Sequence, residues 1–132
     1  MNHGSDVLAL LGRVLLAGIF VYSGFGKITG FQGTVGYIAG AGLPMAQVLA
    51  VAAIFVEFVG GLALLIGFRA RWAALAFVVF LIVITPVFHN FWAATPGQAM
   101  DQQINFIKNI AIIGGMLMVM AFGPGRYSID KD

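Results

Sequence analysis

The sequence contains no cysteine, only two histidines and few charged residues. Charged side chains make up 9% of its 132 residues, whereas about a quarter of an ordinary soluble domain is charged. The lack of cysteine excludes dithiol redox chemistry, thiolate nucleophiles, iron–sulfur clusters and cysteine zinc sites. The scarcity of charge argues against a water-soluble globule. Any redox function of this chain therefore requires a borrowed cofactor.

Hydrophobic residues are abundant instead. They form 61% of the chain, and the mean hydropathy is +0.99. Four apolar runs, each close to the roughly 20 residues that cross a bilayer as a helix, cover residues 7–26, 45–67, 71–88 and 103–122. They predict an all-α polytopic membrane protein, a single domain over 1–132 whose four transmembrane helices form a bundle in contact with the lipid bilayer.

The connections between the runs differ in length and composition. Only residues 68–71 separate the second and third runs, which predicts two antiparallel neighbouring helices. The first connection, 27–44, contains five glycines with Phe31 and Tyr37, and we expect a short interfacial segment between helices 1 and 2. The third connection carries Trp92, which is typical of a residue anchored among lipid headgroups.

Basic residues are distributed unevenly between the two ends of the predicted bundle. Four spans place both termini on one side, together with Arg69, Arg71, Arg126 and Lys131, whereas the other side has only Lys27. By the positive-inside rule, both termini are predicted to be cytoplasmic. No Lys or Arg precedes the first run, so we expect a retained helix rather than a signal peptide.

The histidines and the basic residues do not indicate a metal or a nucleic acid. His3 falls on the predicted cytoplasmic side and His89 at the opposite end, so no pair of histidines converges on zinc or haem iron. The Lys and Arg residues are scattered singly, although the net charge is +2. We expect no metal, haem or iron–sulfur cluster and no nucleic-acid partner.

Three ionisable residues, Arg13, Glu57 and Lys108, lie inside the apolar runs. Each costs roughly 2.5 to 3.5 kcal/mol near a helix centre, which makes unpaired exposure to lipid unfavourable. Counted from Gly26 and Met45, Arg13 and Glu57 lie at a similar depth of about 18 to 20 Å. We therefore expect an inward-facing cluster of Arg13 with Glu57, which the shallower Lys108 joins. The alternatives are an ion pair that only fixes helix register, and a Lys108 that extends to the interface.

A polar stripe on the fourth helix extends this predicted cluster. Gln102, Asn105, Lys108 and Asn109 share an arc of about 120° on a helix that turns 100° per residue. Polar residues at the outer ends of the first and third helices, among them Lys27 and His89, are expected to enlarge the stripe into a pocket with Glu57 near its floor. The candidate proton carrier is Glu57, and the candidate ligand-binding residues are Arg13, Tyr22, Lys27, His89, Asn105, Lys108 and Asn109.

Simpler roles remain open for several of these residues. Lys27 is also typical of a membrane-boundary anchor, and His89 of an interfacial residue at a helix end. Tyr22 and Asn109 are equally suited to hydrogen bonding between helices.

The chain resembles the DoxX family in an ordered set of short motifs spread over nearly its whole length. The set consists of Arg13, Phe20-x-x-Ser23-Gly24-x-x-Lys27, Gly42-Leu43-Pro44, Glu57 with Gly60-Gly61, Lys108-Asn109 with Gly114-Gly115, and the ending Gly123-Pro124-Gly125-x-x-Ser128-Ile129-Asp130. The resemblance implies a four-helix protein of the bacterial inner membrane. It also implies a kinship with membrane subunits named for quinone-linked thiosulfate oxidation and with accessory proteins of oxidative-stress complexes. Where such relatives rely on cysteine, this chain departs from them.

Three functions are compatible with these observations. The leading hypothesis is a membrane subunit of a redox system, possessing or lacking enzymatic activity of its own, that binds a quinone or another amphipathic small molecule. The quinone cofactor and the redox partner protein are implied by the resemblance. The alternatives are a non-catalytic module that recruits a redox enzyme, and a small transporter or proton pathway, which requires a homo-oligomer or partner to enclose its route.

Overall fold

A computed structural model describes residues 3–130 of the chain, and the regular secondary structure of these residues is helical. In chain order the elements are α1 (His3–Thr29), α2 (Phe31–Gly40), α3 (Ala46–Ile54), a π-helical segment (Phe55–Val59), α4 (Gly60–Ile66), α5 (Ala70–Phe88), a 3₁₀ turn (Phe91–Ala93) and α6 (Pro96–Phe122).

Four helical segments are long and apolar enough to cross a membrane, which confirms the predicted all-α, four-span architecture. They are His3–Thr29, Ala46–Ile66, Ala70–Ala93 and Pro96–Phe122. The fourth begins seven residues before the predicted boundary of 103, because α6 starts with Pro96 in its first turn, a position where the missing N–H costs no hydrogen bond. Hydropathy marks the apolar part of such a helix, whereas its backbone hydrogen bonds extend further.

The segment between the first two spans forms the short helix α2, separated from α1 by Gly30 alone. Gly30 has φ −110° and ψ 43°, which interrupts the helical path. Hydrogen bonds still cross it, from Gly30 N to Gly26 O at 2.9 Å and from Thr34 N to Gly30 O at 3.0 Å. Beyond this kink, α2 packs against α3.

The second span is not a uniform α-helix. Its middle five residues, Phe55–Val59, are π-helical, with α3 before them and α4 after them. Single π turns inside α-helices are rare overall, and those that occur are often found at functional sites. Glu57 is the central residue of this segment.

The bundle has two ends. The terminal side holds the start of α1, the residues after α6 and the α4–α5 turn, and the loop side holds α2 and the 3₁₀ turn. The apolar core includes buried residues of all four spans, and the rings of Phe20 and Phe77 stack at 4.1 Å between centroids. The core residues are Ala17, Phe20, Leu64, Ala70, Ala73, Ala74, Phe77, Val78, Leu81 and Met116. Large apolar side chains on the outer faces are exposed, as expected of helices in lipid.

The residues after α6 form a tail, 123–130, that folds back over the α4–α5 turn. The amides of Ile129 and Asp130 donate to the carbonyls of Ile66 and Gly67, each at 3.1 Å. The Asp130 carboxylate accepts a hydrogen bond from the backbone N–H of Arg69. Gly67 has a φ of 77°, and the tail packs directly against it.

Candidate functional site

Lys27 on α1 and Glu57 in the π-helical segment form an ion pair inside the bundle. Lys27 Nζ lies 2.9 Å from Glu57 Oε2 and donates a hydrogen bond to Oε1 at 3.1 Å. The Glu57 side chain is 6% exposed and that of Lys27 is 32% exposed. The Glu57 side chain is therefore enclosed by protein, whereas the Lys27 side chain is only partly covered.

Two glycines bring the first and second spans close enough for this pair to form. A Cβ on Gly24 would lie 2.8 Å from the backbone nitrogen of Phe58, and one on Gly61 would lie 3.1 Å from the backbone nitrogen of Val21. Real side chains do not fit at the first of these distances, so Gly24 permits direct backbone contact with the π-helical segment. Lys27 follows Gly24 by three residues and shares its helix face, which directs it toward Glu57.

Glu57 lies near the middle of the second span, whereas Lys27 lies two residues before the end of α1. Glu57 is eleven residues after Ala46 and nine before Ile66, or about 16 Å and 14 Å from the ends of the span at 1.5 Å per residue. Ionisable groups at such depth are expensive in lipid and are often functional. Each member of the pair is close to a helix irregularity. Glu57 lies within the π-helical segment, and Lys27 lies one turn before the Gly30 kink.

The two carboxylate oxygens of Glu57 have different surroundings. Oε1 accepts the hydrogen bond from Lys27. Oε2 is buried and, within residues 3–130, accepts no hydrogen bond, although Lys27 Nζ is close enough for charge attraction. A carboxylate oxygen offers two acceptor positions, so Oε2 retains capacity for a donor from another molecule.

A second polar group connects α5 and α6 on the loop side of the ion pair. Asn109 Nδ2 donates to Thr85 Oγ1 at 3.1 Å, and both residues are buried. One turn beyond Thr85, His89 Nδ1 lies 2.8 Å from Gln102 Oε1. This contact links the end of α5 to the first turns of α6.

An open groove lies at the loop-side end, between α2 and the end of α5. Its volume is about 580 Å³, and its walls are formed by Gly36, Tyr37, Gly40, Ala41, Val87, Phe88 and Asn90. The rings of Tyr37 and Phe88 stack at 5.2 Å between centroids. The groove does not include Glu57.

Comparison with known proteins supports the resemblance. The profile of the DoxX family matches residues 8–90, which include both members of the ion pair. The chain belongs to the DoxX family. It is 40% identical to the Escherichia coli inner membrane protein YqjF, over 99% of this chain and 95% of that protein, and 34% identical to the E. coli inner membrane protein YphA, over 95% and 89%.

A more distant similarity reaches eukaryotes. The chain is 26% identical to the Surfeit locus protein 4 homolog of Drosophila melanogaster, over 98% of this chain and 42% of that protein. No solved structure matches this DoxX protein. The chain is accordingly a membrane-embedded DoxX protein whose bacterial relatives are proteins of the inner membrane.

The predicted pairing of Arg13 with Glu57 is wrong. The Arg13 side chain donates to three backbone carbonyls instead, from Nε to Leu65 at 3.3 Å, from Nη2 to Tyr127 at 2.6 Å and from Nη1 to Pro124. The depth count fails because Gly26 and Met45 are not level with each other. The contacts of Gly24 and Lys27 align the end of α1 with the π-helical segment, and α3 extends beyond it alongside α2.

Lys108 does not join the ion pair either. It is exposed, its Nζ lies 3.5 Å from Asn105 Oδ1 on the preceding turn, and no carboxylate of residues 3–130 is within 4 Å of it.

Tyr22 is 82% exposed and points away from the bundle interior. It follows the buried Phe20 by two residues, or about 200°, and so lies on the opposite face of α1.

The sequence presents Lys27 as a candidate ligand-binding residue or a boundary anchor, but it does not predict Lys27 as the partner of Glu57. A usable signal was present, because Lys27 shares a helix face with Gly24 just as Glu57 shares one with Gly60 and Gly61. Small residues on two facing helices indicate the line of closest approach. No sequence signal announced the π-helical segment, since its composition is that of an ordinary apolar helix.

Proposed function

We propose that this DoxX protein binds an amphipathic small molecule of the quinone type and acts as a membrane subunit of a redox system. The observation that carries the proposal is the buried Oε2 of Glu57, which has an unused acceptor position near the middle of the second span beside the partly exposed Lys27. A polar head group with both donors and acceptors complements this pair, and the surrounding apolar helix faces suit a hydrocarbon tail.

The residues present fit such a head group. Lys27 Nζ carries three N–H donors and uses one on Glu57 Oε1, so it can donate to a ring carbonyl. Glu57 Oε2 can accept from a ring hydroxyl. When bound, a quinone supplies two-electron chemistry coupled to two protons. Glu57 is the acid–base group of this chain that would hold or release a proton there, and Lys27 would orient the head group.

Electrons must come from another protein in this proposal, because the chain has no cysteine and none of its side chains forms a redox centre. We propose a redox enzyme as that partner, docked on the terminal side, where Arg69, Arg71 and Arg126 lie at the predicted cytoplasmic surface. Self-association of the bundle is compatible with the proposal but is not required by it.

A binding experiment with purified protein tests the proposal. A short-chain quinone such as a decyl-substituted benzoquinone would be titrated into protein held in lipid nanodiscs, with empty nanodiscs to measure partitioning into lipid. Lys27→Gln and Glu57→Gln would each weaken binding by about 10- to 100-fold, since hydrogen bonds to charged groups contribute roughly 1.5 to 3 kcal/mol. Lys108→Gln is the matched control, because it removes a membrane lysine outside the ion pair.

Two results would overturn the proposal. One is quinone uptake by the protein equal to that of empty nanodiscs, and the other is equal affinity in the wild type and both ion-pair variants. Copurification of a redox enzyme whose activity is unchanged in Glu57→Gln would instead favour a module that only recruits that enzyme.

A further inference from the structure

We infer that Glu57 exchanges protons with water from the loop side of the bundle only, because its terminal side is closed by an apolar plug and by the C-terminal tail. The inference deepens the function proposed above for the same site. It concerns the direction from which the carboxylate is reached, and it is testable without any ligand.

The plug is the apolar core between Glu57 and the terminal side. Ala17, Leu64, Ala74 and Phe77 are fully buried, and Phe20 is 5% exposed. The stacked rings of Phe20 and Phe77 close the space between α1 and α5. An apolar region without partners for water stays dry, so this half of the bundle offers no path for a proton.

Close backbone contact removes the remaining space between the first two spans. Gly61 approaches Val21, and Gly24 approaches Phe58, at distances where even one added methyl group is crowded. Backbones in such direct contact leave no gap between them that could hold a water molecule. Water therefore cannot pass along this seam from the terminal side to Glu57.

The tail adds a second barrier at the terminal end. Arg13 is 3% exposed and holds the tail through the carbonyls of Pro124 and Tyr127, while a third bond ties it to Leu65 in α4. Pro124 is itself fully buried. These contacts join α1, α4 and the tail where water would otherwise enter between the helices.

The loop side is polar by contrast. Gly60 faces the ring of Phe77, and the two helices are antiparallel, so residues before Gly60 are level with residues after Phe77. Glu57 is therefore level with about Leu81, and Thr85 lies one turn, roughly 6 Å, further toward the loop side. Two hydrogen-bonded polar pairs therefore lie between the level of Glu57 and the loop-side end of the bundle, first Thr85–Asn109 and then His89–Gln102.

The charged groups around Glu57 are consistent with this direction. From α1 it is faced by Lys27, whose side chain is 32% exposed. The α5 segment has no charged residue between Arg71 and His89, and Lys108 of α6 lies on the outer surface. Arg13 is held at the terminal end by the tail. Among the titratable groups, Lys27 contacts Glu57 directly, and His89 of α5 and Tyr37 of α2 lie at the loop side.

Cysteine accessibility provides the test, because the natural chain has no cysteine to remove. Single cysteines would be placed at Thr85 and Asn109 on the loop side of Glu57, at Leu64 and Ala74 in the plug, and at Glu57 itself. A charged, membrane-impermeant thiol reagent would be added to either face of sealed proteoliposomes of one orientation. Exposed Arg126 and Gln98, each changed to Cys, would report the terminal and loop faces.

We expect Thr85→Cys and Asn109→Cys to react at least roughly tenfold faster from the loop face than from the terminal face, and Leu64→Cys and Ala74→Cys to react from neither, since dry apolar sites exclude a charged reagent. Glu57→Cys should follow the loop-face pattern. If this variant does not fold, positions 85 and 109 still decide the outcome with the carboxylate in place.

Reaction of position 57 or 64 from the terminal face would overturn the inference, as would failure of positions 85 and 109 to react from the loop face while Gln98→Cys reacts. These outcomes are independent of quinone affinity. Reactivity from the loop face alone, without quinone binding, would contradict only the proposed function. Quinone binding together with reactivity from both faces would contradict only this inference.

Discussion

Gly24 and Phe58 bring two transmembrane segments into backbone contact, since a Cβ on Gly24 would lie 2.8 Å from the Phe58 nitrogen. Gly24→Ala should therefore force α1 away from the π-helical segment and destabilise the protein by about 1 to 3 kcal/mol, the usual cost of overpacking. Thermal unfolding in detergent measures the effect.

Gly18→Ala is the control for this substitution, because a Cβ at Gly18 meets nothing within 4 Å. It should be neutral or stabilise α1 by roughly 0.5 to 1 kcal/mol through a better helix propensity. Equal melting temperatures for the two variants would contradict the close contact.

The Lys27–Glu57 pair should respond unequally to loss of its members. Lys27→Met leaves a carboxylate with 6% exposure unpaired and should cost about 3 to 5 kcal/mol, whereas Glu57→Gln leaves a lysine whose side chain is 32% exposed and should cost less. The double variant should be more stable than the sum of the single effects predicts. A double-mutant cycle by chemical unfolding measures the coupling, and additive effects would show that the two residues act independently.

Arg13 should hold the C-terminal tail in place. Arg13→Ala removes three hydrogen bonds to carbonyls, so the amides of Ile129 and Asp130, which bond to Ile66 and Gly67, should exchange with deuterium faster. Arg71→Ala, at an exposed arginine of the same end, should leave their exchange unchanged. Unaltered protection in Arg13→Ala would mean that the tail is held by other contacts.

The hydrogen bond between Asn109 and Thr85 should couple α5 to α6 modestly. Asn109→Leu leaves the buried Thr85 hydroxyl without this donor, and Thr85→Val leaves the Asn109 amide without its acceptor. Bonds of this kind inside membrane proteins average about 0.6 kcal/mol and reach about 1.7 kcal/mol. Unfolding of both single variants and the double variant should give a coupling energy in that range. Zero coupling would show that this hydrogen bond does not contribute to stability.

The fold was predictable from the sequence to a much greater extent than the site. Hydropathy identifies each span because a helix in lipid must be apolar along about 20 residues. The same analysis locates Glu57 and Arg13 as unusual charges, but it cannot assign their partners. That assignment depends on the axial offset between the helices. The expected offset was wrong by about three helical turns, so Arg13 rather than Lys27 was predicted as the neighbour of Glu57.

The backbone irregularities were beyond the reach of pattern reasoning. The π-helical segment Phe55–Val59 and the kink at Gly30 depend on packing between α1, α2 and α3, and the apolar residues of Phe55–Val59 suit an ordinary helix equally well. The tail was also unpredictable, because Arg13 binds it through main-chain oxygens that carry no sequence signature.

That last feature bears on how related proteins can diverge. Every amino acid supplies a carbonyl oxygen, so the grip of Arg13 on the tail does not depend on which side chains stand at positions 124 and 127. Other contacts of the tail do depend on the residue present: Gly123 and Gly125 have φ values of 79° and 88°, Ser128 packs against Gly67, and the Asp130 carboxylate accepts from the Arg69 N–H. The side chains at positions 126 and 129 are exposed, so a substitution at either position leaves this grip on the main chain intact.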